Sequence, residues 1–69
     1  MVKMEAYNDG EMWCARGIGV AIFTQGRTFD ELIENIREAV ALHFEDTGEV
    51  PEILVLSEIK ASDAKTAVG

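Results

Sequence analysis

Few side chains in this sequence could do chemistry, and they converge on no single motif. The chain has one histidine, His43, and one cysteine, Cys14. His43 could act as a general base or a metal ligand, but no partner motif accompanies it, and a packed histidine at a helix end is the simpler reading. Cys14 lacks a Cys-x-x-Cys partner, and its neighbours give no reason for a lowered thiol pKa. One cysteine and one histidine cannot build a structural zinc site or an intrachain disulfide. The glycines at 17, 19 and 26 do not form a phosphate loop, and "GIGVAIFTQG" lacks the spacing of a dinucleotide fingerprint. No catalytic residue, metal ligand or cofactor is expected.

The acidic residues are the remaining chemistry. At about 100° per residue, Asp30, Glu34, Glu38 and Glu45 fall on one stripe of a helix, with Ala41 among them. Such a stripe is either an ordinary solvated face or an electrostatic contact for a basic partner. A two-metal nuclease centre needs carboxylates converging from several elements, and Glu5 is the one obvious acid inside a strand ahead of the helix. A residual metal-dependent nuclease is therefore a remote alternative.

The whole composition points the same way. Thirteen acidic residues against six basic ones give a formal charge of −7 over 69 residues. A chain of that charge repels phosphate backbones and anionic lipid and favours cationic partners. Lys3, Arg16, Arg27 and Arg37 are scattered and form no basic stripe. "MVKMEAYNDG" lacks the apolar core of a signal peptide, and no run is long enough to span a bilayer. A cytoplasmic protein is expected. A chain this short sits near the lower limit for an autonomous core, so self-association into a dimer or tetramer is an expected source of stability.

These side chains need a scaffold, and the patterning supplies one. Val2 to Asn8 alternates with period two, as a half-buried strand does. Asp9-Gly10 reads as a two-residue type I′ hairpin turn, which would set Tyr7 opposite Met12, Ala6 opposite Trp13, Glu5 opposite Cys14 and Met4 opposite Ala15. Val2, Met4, Ala6, Trp13 and Ala15 then make a core face. Tyr7, Met12 and Cys14 lie on the other face, which is more apolar than solvent exposure requires, and they are the candidate oligomer interface. Gly17 and Gly19 permit a bend before a third strand, Val20 to Thr24.

Thr28 and Glu31 form a capping box, T-x-x-E, at the start of a helix running from Phe29 to about Glu45. The Thr28 hydroxyl would accept from the Glu31 amide, and the Glu31 carboxylate would reach back to the Thr28 amide. Phe29, Leu32, Ile33, Ile36, Ala39, Val40 and Phe44 make its apolar stripe. Gly48 reads as a helix-ending residue, and Pro51 blocks continuation. "EILVLSEI" (Glu52 to Ile59) is a nearly continuous apolar strand, the pattern of a position inside a sheet. The order is β-β-β-α-β, an α+β fold of two layers with one helix packed on a mostly antiparallel sheet. A single domain is expected over 1–60, with a flexible tail over 61–69.

Asn8-Asp-Gly, Trp13-Cys-Ala15 and "FTQGRTFDELIENIREAVALHFE" (Phe23 to Glu45) together give a pattern that resembles the HicB-like antitoxin family. Members carry a TQG-x-T turn ahead of a helix reading roughly x-x-E-A-x-x-N-I-x-E-A-I-x-L. Thr24-Gln25-Gly26 and Thr28 match the turn; Glu31, Asn35-Ile36, Glu38-Ala39 and Leu42 match the helix. The resemblance implies a partial ribonuclease-H-like fold and an inhibitory, non-catalytic activity. The implied partner is a small basic HicA-type toxin that cleaves RNA, whose catalytic histidine the antitoxin masks. Many members add a C-terminal DNA-binding module, which is not expected here. The sequence also departs from the family at Arg16-Gly-Ile-Gly-Val20, where a Pro-rich segment is common, and at Leu32, where alanine is common.

The expected function is thus an antitoxin-like protein that binds and occludes such a toxin, with Asp30, Glu34, Glu38 and Glu45 as the contact face. The alternative is an orphan HicB-like homo-oligomeric module with no toxin. Neither reading involves catalysis, direct nucleic-acid binding or a membrane.

Overall fold

A computed structural model describes residues 1–57 of the chain. The expected end of the fourth strand at 58–59, the domain boundary at 60 and the tail at 61–69 lie outside the described residues. The elements follow in the order β1 (Val2–Asn8), β2 (Trp13–Gly17), β3 (Phe23–Gly26), α1 (Phe29–His43), a 3₁₀ turn (Glu45–Thr47) and β4 (Ile53–Ser57). The sheet order is β3-β2-β1-β4, with β1 antiparallel to β2, β2 antiparallel to β3, and β4 parallel to β1. This is the α+β, two-layer arrangement that the periodicity predicts, with α1 on one face of the sheet.

Period two places Val2, Met4, Ala6 and Ala15 under the helix, all buried, with Trp13 packed against them. From α1, Leu32, Ile36 and Val40 are buried, while Ile33, Ala39 and Phe44 are half-buried at the margins. Phe29 lies at the rim, 39% exposed, with its ring edge-on to Trp13 at 5.1 Å between centroids. The largest fully buried side chains, Met4, Leu32, Ile36 and Val40, form the centre of the core. Burial of that kind is worth roughly 1.5–3 kcal/mol per large aliphatic side chain.

The first hairpin differs from the sequence expectation. Its strands pair Met4 with Gly17, Ala6 with Ala15, Tyr7 with Cys14 and Asn8 with Trp13, two residues away from the register of a two-residue turn. A type I′ turn needs positive φ at both central positions. Gly10 has it, at 106°, and Asp9 does not. The loop instead spans Asp9 to Met12 and is held by its own side chains. Asn8 Oδ1 accepts from the Gly10 amide at 2.8 Å, and Asp9 Oδ1 accepts from the Glu11 and Met12 amides at 2.9 and 2.8 Å. These Asx-type bonds satisfy donors that a wider loop would otherwise leave free. A slip of two keeps every side chain on its expected face, so the core survives the change of register.

The other boundaries shift for local reasons. β3 starts at Phe23 rather than Val20, because the Ile22 amide turns back to the Val20 carbonyl at 3.0 Å in a tight bend. α1 ends at His43 rather than Glu45; Phe44 caps it, and Glu45 opens the 3₁₀ turn that Gly48 closes. At the other end Thr28 Oγ1 accepts from the Glu31 amide at 3.1 Å, as the capping box requires. The return bond reaches one residue further than expected, with Glu31 Oε1 accepting from the Arg27 amide at 3.1 Å.

The largest correction concerns β4. Its apolar run predicts a central strand, whereas it pairs with β1 alone and forms an edge among the described residues. The run is apolar on both sides for another reason. Ile53 and Val55 face the helix layer, while Leu54 and Leu56 point outward, at 40% and 44% exposure.

Candidate partner surfaces

The acidic stripe is positioned by the helix phase. With Leu32, Ile36 and Val40 turned into the core, Asp30, Glu34 and Glu38 must point away from the sheet, and all three are exposed. Glu45, also exposed, leaves the helix but stays at its end, in the first position of the 3₁₀ turn. Among the described residues the one ion pair joins Arg16 to Glu5 on the sheet, with Nη2 2.7 Å from Oε1. None of the four stripe carboxylates is in an ion pair among the described residues. Glu34 and Glu38 stand one turn apart, a like-charge spacing that mildly destabilises an isolated helix and is relieved by a bound cation.

The three residues expected at an oligomer surface separate. Tyr7 is exposed on the outer sheet face, directly opposite Cys14. Met12 belongs to the loop, half-buried, and not to β2. Cys14 is buried, with only 4% of its surface accessible. Its Sγ lies 3.8 Å from Asp9 Oδ2, and it bonds weakly to the Met12 carbonyl. Burial, and then the charge of Asp9, push the thiol above its ordinary value. Cys14 is therefore a poor nucleophile and offers little contact area to a partner. Asp9 itself is held below the ordinary carboxylate range by the amides of Met12 and Glu11.

Sequence reasoning missed the remaining apolar members of the outer face. Cross-strand rows set Phe23 beside Arg16, Arg16 beside Glu5, and Glu5 beside Leu56, with Lys3 beside Leu54. Phe23 is 58% exposed. The signal lay in the alternation of "ILVLS", since a strand with Ile53 and Val55 inward must send its leucines outward.

His43 sits edge-on to Phe44 at 4.9 Å and lines a shallow depression with Ala21, Ile22, Phe23, Ala39 and Leu42. A larger concavity of about 560 Å³ opens where β1 and β4 end, between Tyr7, Asn8, Asp9, Gly10, Trp13 and Ser57. Asn8 Oδ1 and Asp9 Oδ1 there are already engaged by loop amides, and Asp9 Oδ2 accepts weakly from the Cys14 thiol. Among the described residues no three His, Cys, Asp or Glu side chains group as metal ligands would. None of the described helices is long and apolar enough to cross a membrane.

This geometry defines a small α+β domain with an acidic helix face, a mixed outer sheet face that exposes Phe23, Leu54 and Leu56, and, among the described residues, one open edge. A UPF0150 protein of Archaeoglobus fulgidus is 42% identical to the chain over 50 residues, which cover 72% of this chain and 71% of the relative. The chain belongs to the UPF0150 family. No family model matches it. No solved structure matches it either.

Proposed function

We propose that this protein is an antitoxin-like inhibitor that binds a small basic, RNA-cleaving toxin of the HicA type and occludes its active site. The observation that carries the reading is the acidic face of α1. Asp30, Glu34, Glu38 and Glu45 are all exposed, and among the described residues none of them is in an ion pair. An unneutralised acidic surface steers a cationic protein into place and accelerates encounter. The resemblance of the turn and helix to HicB-like antitoxins supplies the class of partner, and the β-β-β-α-β order agrees with it. In this reading the chain does no chemistry, needs no cofactor and works from the cytoplasm.

The test is co-expression with a small basic protein encoded beside this one, followed by RNA cleavage assays with and without the chain. A stoichiometric complex with loss of cleavage is the expected result. A neighbour that neither binds nor is inhibited would overturn it. A second reading, a homo-oligomeric module without a toxin, is favoured by the exposed Phe23, Leu54 and Leu56 on the outer sheet face.

A further inference from the structure

The two edges of the sheet are finished differently. In the β2–β3 ladder the Gly17 amide donates to the Ile22 carbonyl at 2.8 Å, which fixes the alternation along β3: Thr24 and Gly26 bond to β2, while Phe23 and Gln25 point their backbone groups outward. The Gln25 carbonyl on that outward side is taken by Asn35 Nδ2 at 2.7 Å. The edge of β3 is thus short and partly stoppered by α1. This is one of the ways native sheets protect an edge from further pairing.

Among the described residues β4 has no such protection. The Val2 amide donates to the Glu52 carbonyl at 2.8 Å, and the register pairs Val2 with Ile53. Alternation then turns Glu52, Leu54 and Leu56 toward β1 and leaves the N–H and C=O groups of Ile53, Val55 and Ser57 directed outward. No side chain among the described residues bonds to any of those groups. The strand has no charge, no bulge and no proline within it.

We propose that β4 is an assembly edge, and that its occupant is β4 of a second copy of this chain, paired antiparallel about Val55. The sequence of the strand is what selects a second copy. Centred on Val55, the pairing sets Val55 against the partner's Val55, Ile53 against the partner's Ser57, and Leu54 against the partner's Leu56. Those first two pairings use the outward-directed backbone groups in the alternation that an antiparallel ladder demands. The Leu54 and Leu56 side chains then meet across a non-hydrogen-bonded pair on the outer face, where side chains approach most closely. A two-fold axis normal to the sheet keeps the faces matched, an isologous interface in the sense that both copies use the same patch.

The inner face fits the same arrangement. α1 is joined to the end of β3 and buries Leu32, Ile36 and Val40 with residues of β1 and β2, while Ile53 and Val55 of β4 are only half-buried against that cluster. On the β4 side this leaves an open groove of about 290 Å³ between Ile33, Ile36, Arg37, Ile53 and Val55. Joining two sheets at β4 turns this exposed margin into the middle of a continuous sheet flanked by two helices. The proposal is independent of toxin binding, which uses the opposite side of α1.

The test takes the full chain in sedimentation equilibrium up to about 1 mM, together with two sets of variants. The expected mass is twice the 7.6 kDa of one chain. V55P removes a backbone donor that makes no bond to β1, and is expected to weaken dimerisation by about tenfold or more, the equivalent of one or two hydrogen bonds. In a Cys14→Ala background, mixing Leu54→Cys with Leu56→Cys chains should form a mixed disulfide faster than either variant forms one alone. If V55P does not fold, the cysteine pairs decide the matter. A protein monomeric across the whole range, a folded V55P that dimerises unchanged, or faster crosslinking of Leu54→Cys to itself would each overturn the proposal.

Discussion

The backbone nitrogen of Leu32 passes directly over Gly26, so close that a Cβ built on Gly26 would stand 2.6 Å from it. The end of β3 and the first turn of α1 are therefore in backbone contact, with no room for a side chain between them. The joint is tied on both sides: Glu31 accepts from the Arg27 amide, and Asn35 donates to the Gln25 carbonyl. This is the structural meaning of the TQG-x-T segment. It fixes where α1 crosses the sheet, and through that crossing it sets which helix face points to solvent.

Gly26→Ala should accordingly destabilise the fold by about 1–3 kcal/mol, the usual range for forcing an extra carbon into a packed site. The atoms it would meet are helix backbone, which cannot swing aside as a side-chain tip can. Urea unfolding followed by circular dichroism measures it. A loss of only a few tenths of a kcal/mol would mean that the helix can lift off the strand.

The hairpin loop should titrate. The Met12 and Glu11 amides hold the Asp9 carboxyl below its ordinary value of 3.8. The ionised form is thus favoured in the folded state, and its contribution is complete above 3.8 and lost as pH falls through the lower folded value. Asp9→Asn keeps an acceptor oxygen but cannot titrate. Wild type should lose thermal stability more steeply than Asp9→Asn as pH drops from about 5 to about 2.5. Parallel curves would show that the loop bonds carry no linkage.

Cys14 should resist modification. With 4% of its surface accessible and its thiol pushed up by burial and by Asp9, it presents neither access nor thiolate. At neutral pH its alkylation by iodoacetamide should be about tenfold or more slower in the folded chain than in urea. Equal rates would place the thiol at the surface.

The acidic face carries the partner prediction. The double variant Glu34→Lys with Glu38→Lys should weaken the proposed toxin complex, and the difference from wild type should shrink as salt rises. Titration calorimetry at two ionic strengths reads both effects, and unchanged affinity would remove this face from the interface. Self-association should respond to salt with the opposite sign, because two chains of charge −7 repel each other at low ionic strength.

Much of this architecture is written locally. Alternation in Val2–Asn8, the Thr28 cap and the spacing of Leu32, Ile36 and Val40 depend only on near neighbours along the chain. The sequence by itself therefore determined the order of elements, the buried faces and the solvent-facing acidic stripe. The hairpin register was less legible. Asp9-Gly10 is compatible with a tight turn, and the wider loop wins through bonds from the Asn8 and Asp9 side chains that no propensity encodes.

The place of β4 was decided only by the tertiary structure. A run such as "ILVLS" is apolar on both faces whether it is paired on two sides or on one, because periodicity records which way side chains point and not which backbone groups find partners. Parallel pairing to β1 follows from the path of the chain across α1, a long-range property. So does the burial of Cys14, which reads as a surface thiol along the strand until the Asp9 loop folds back beside it. Local patterning determined what each segment is; the open edge and the covered thiol come from what the other segments leave beside it.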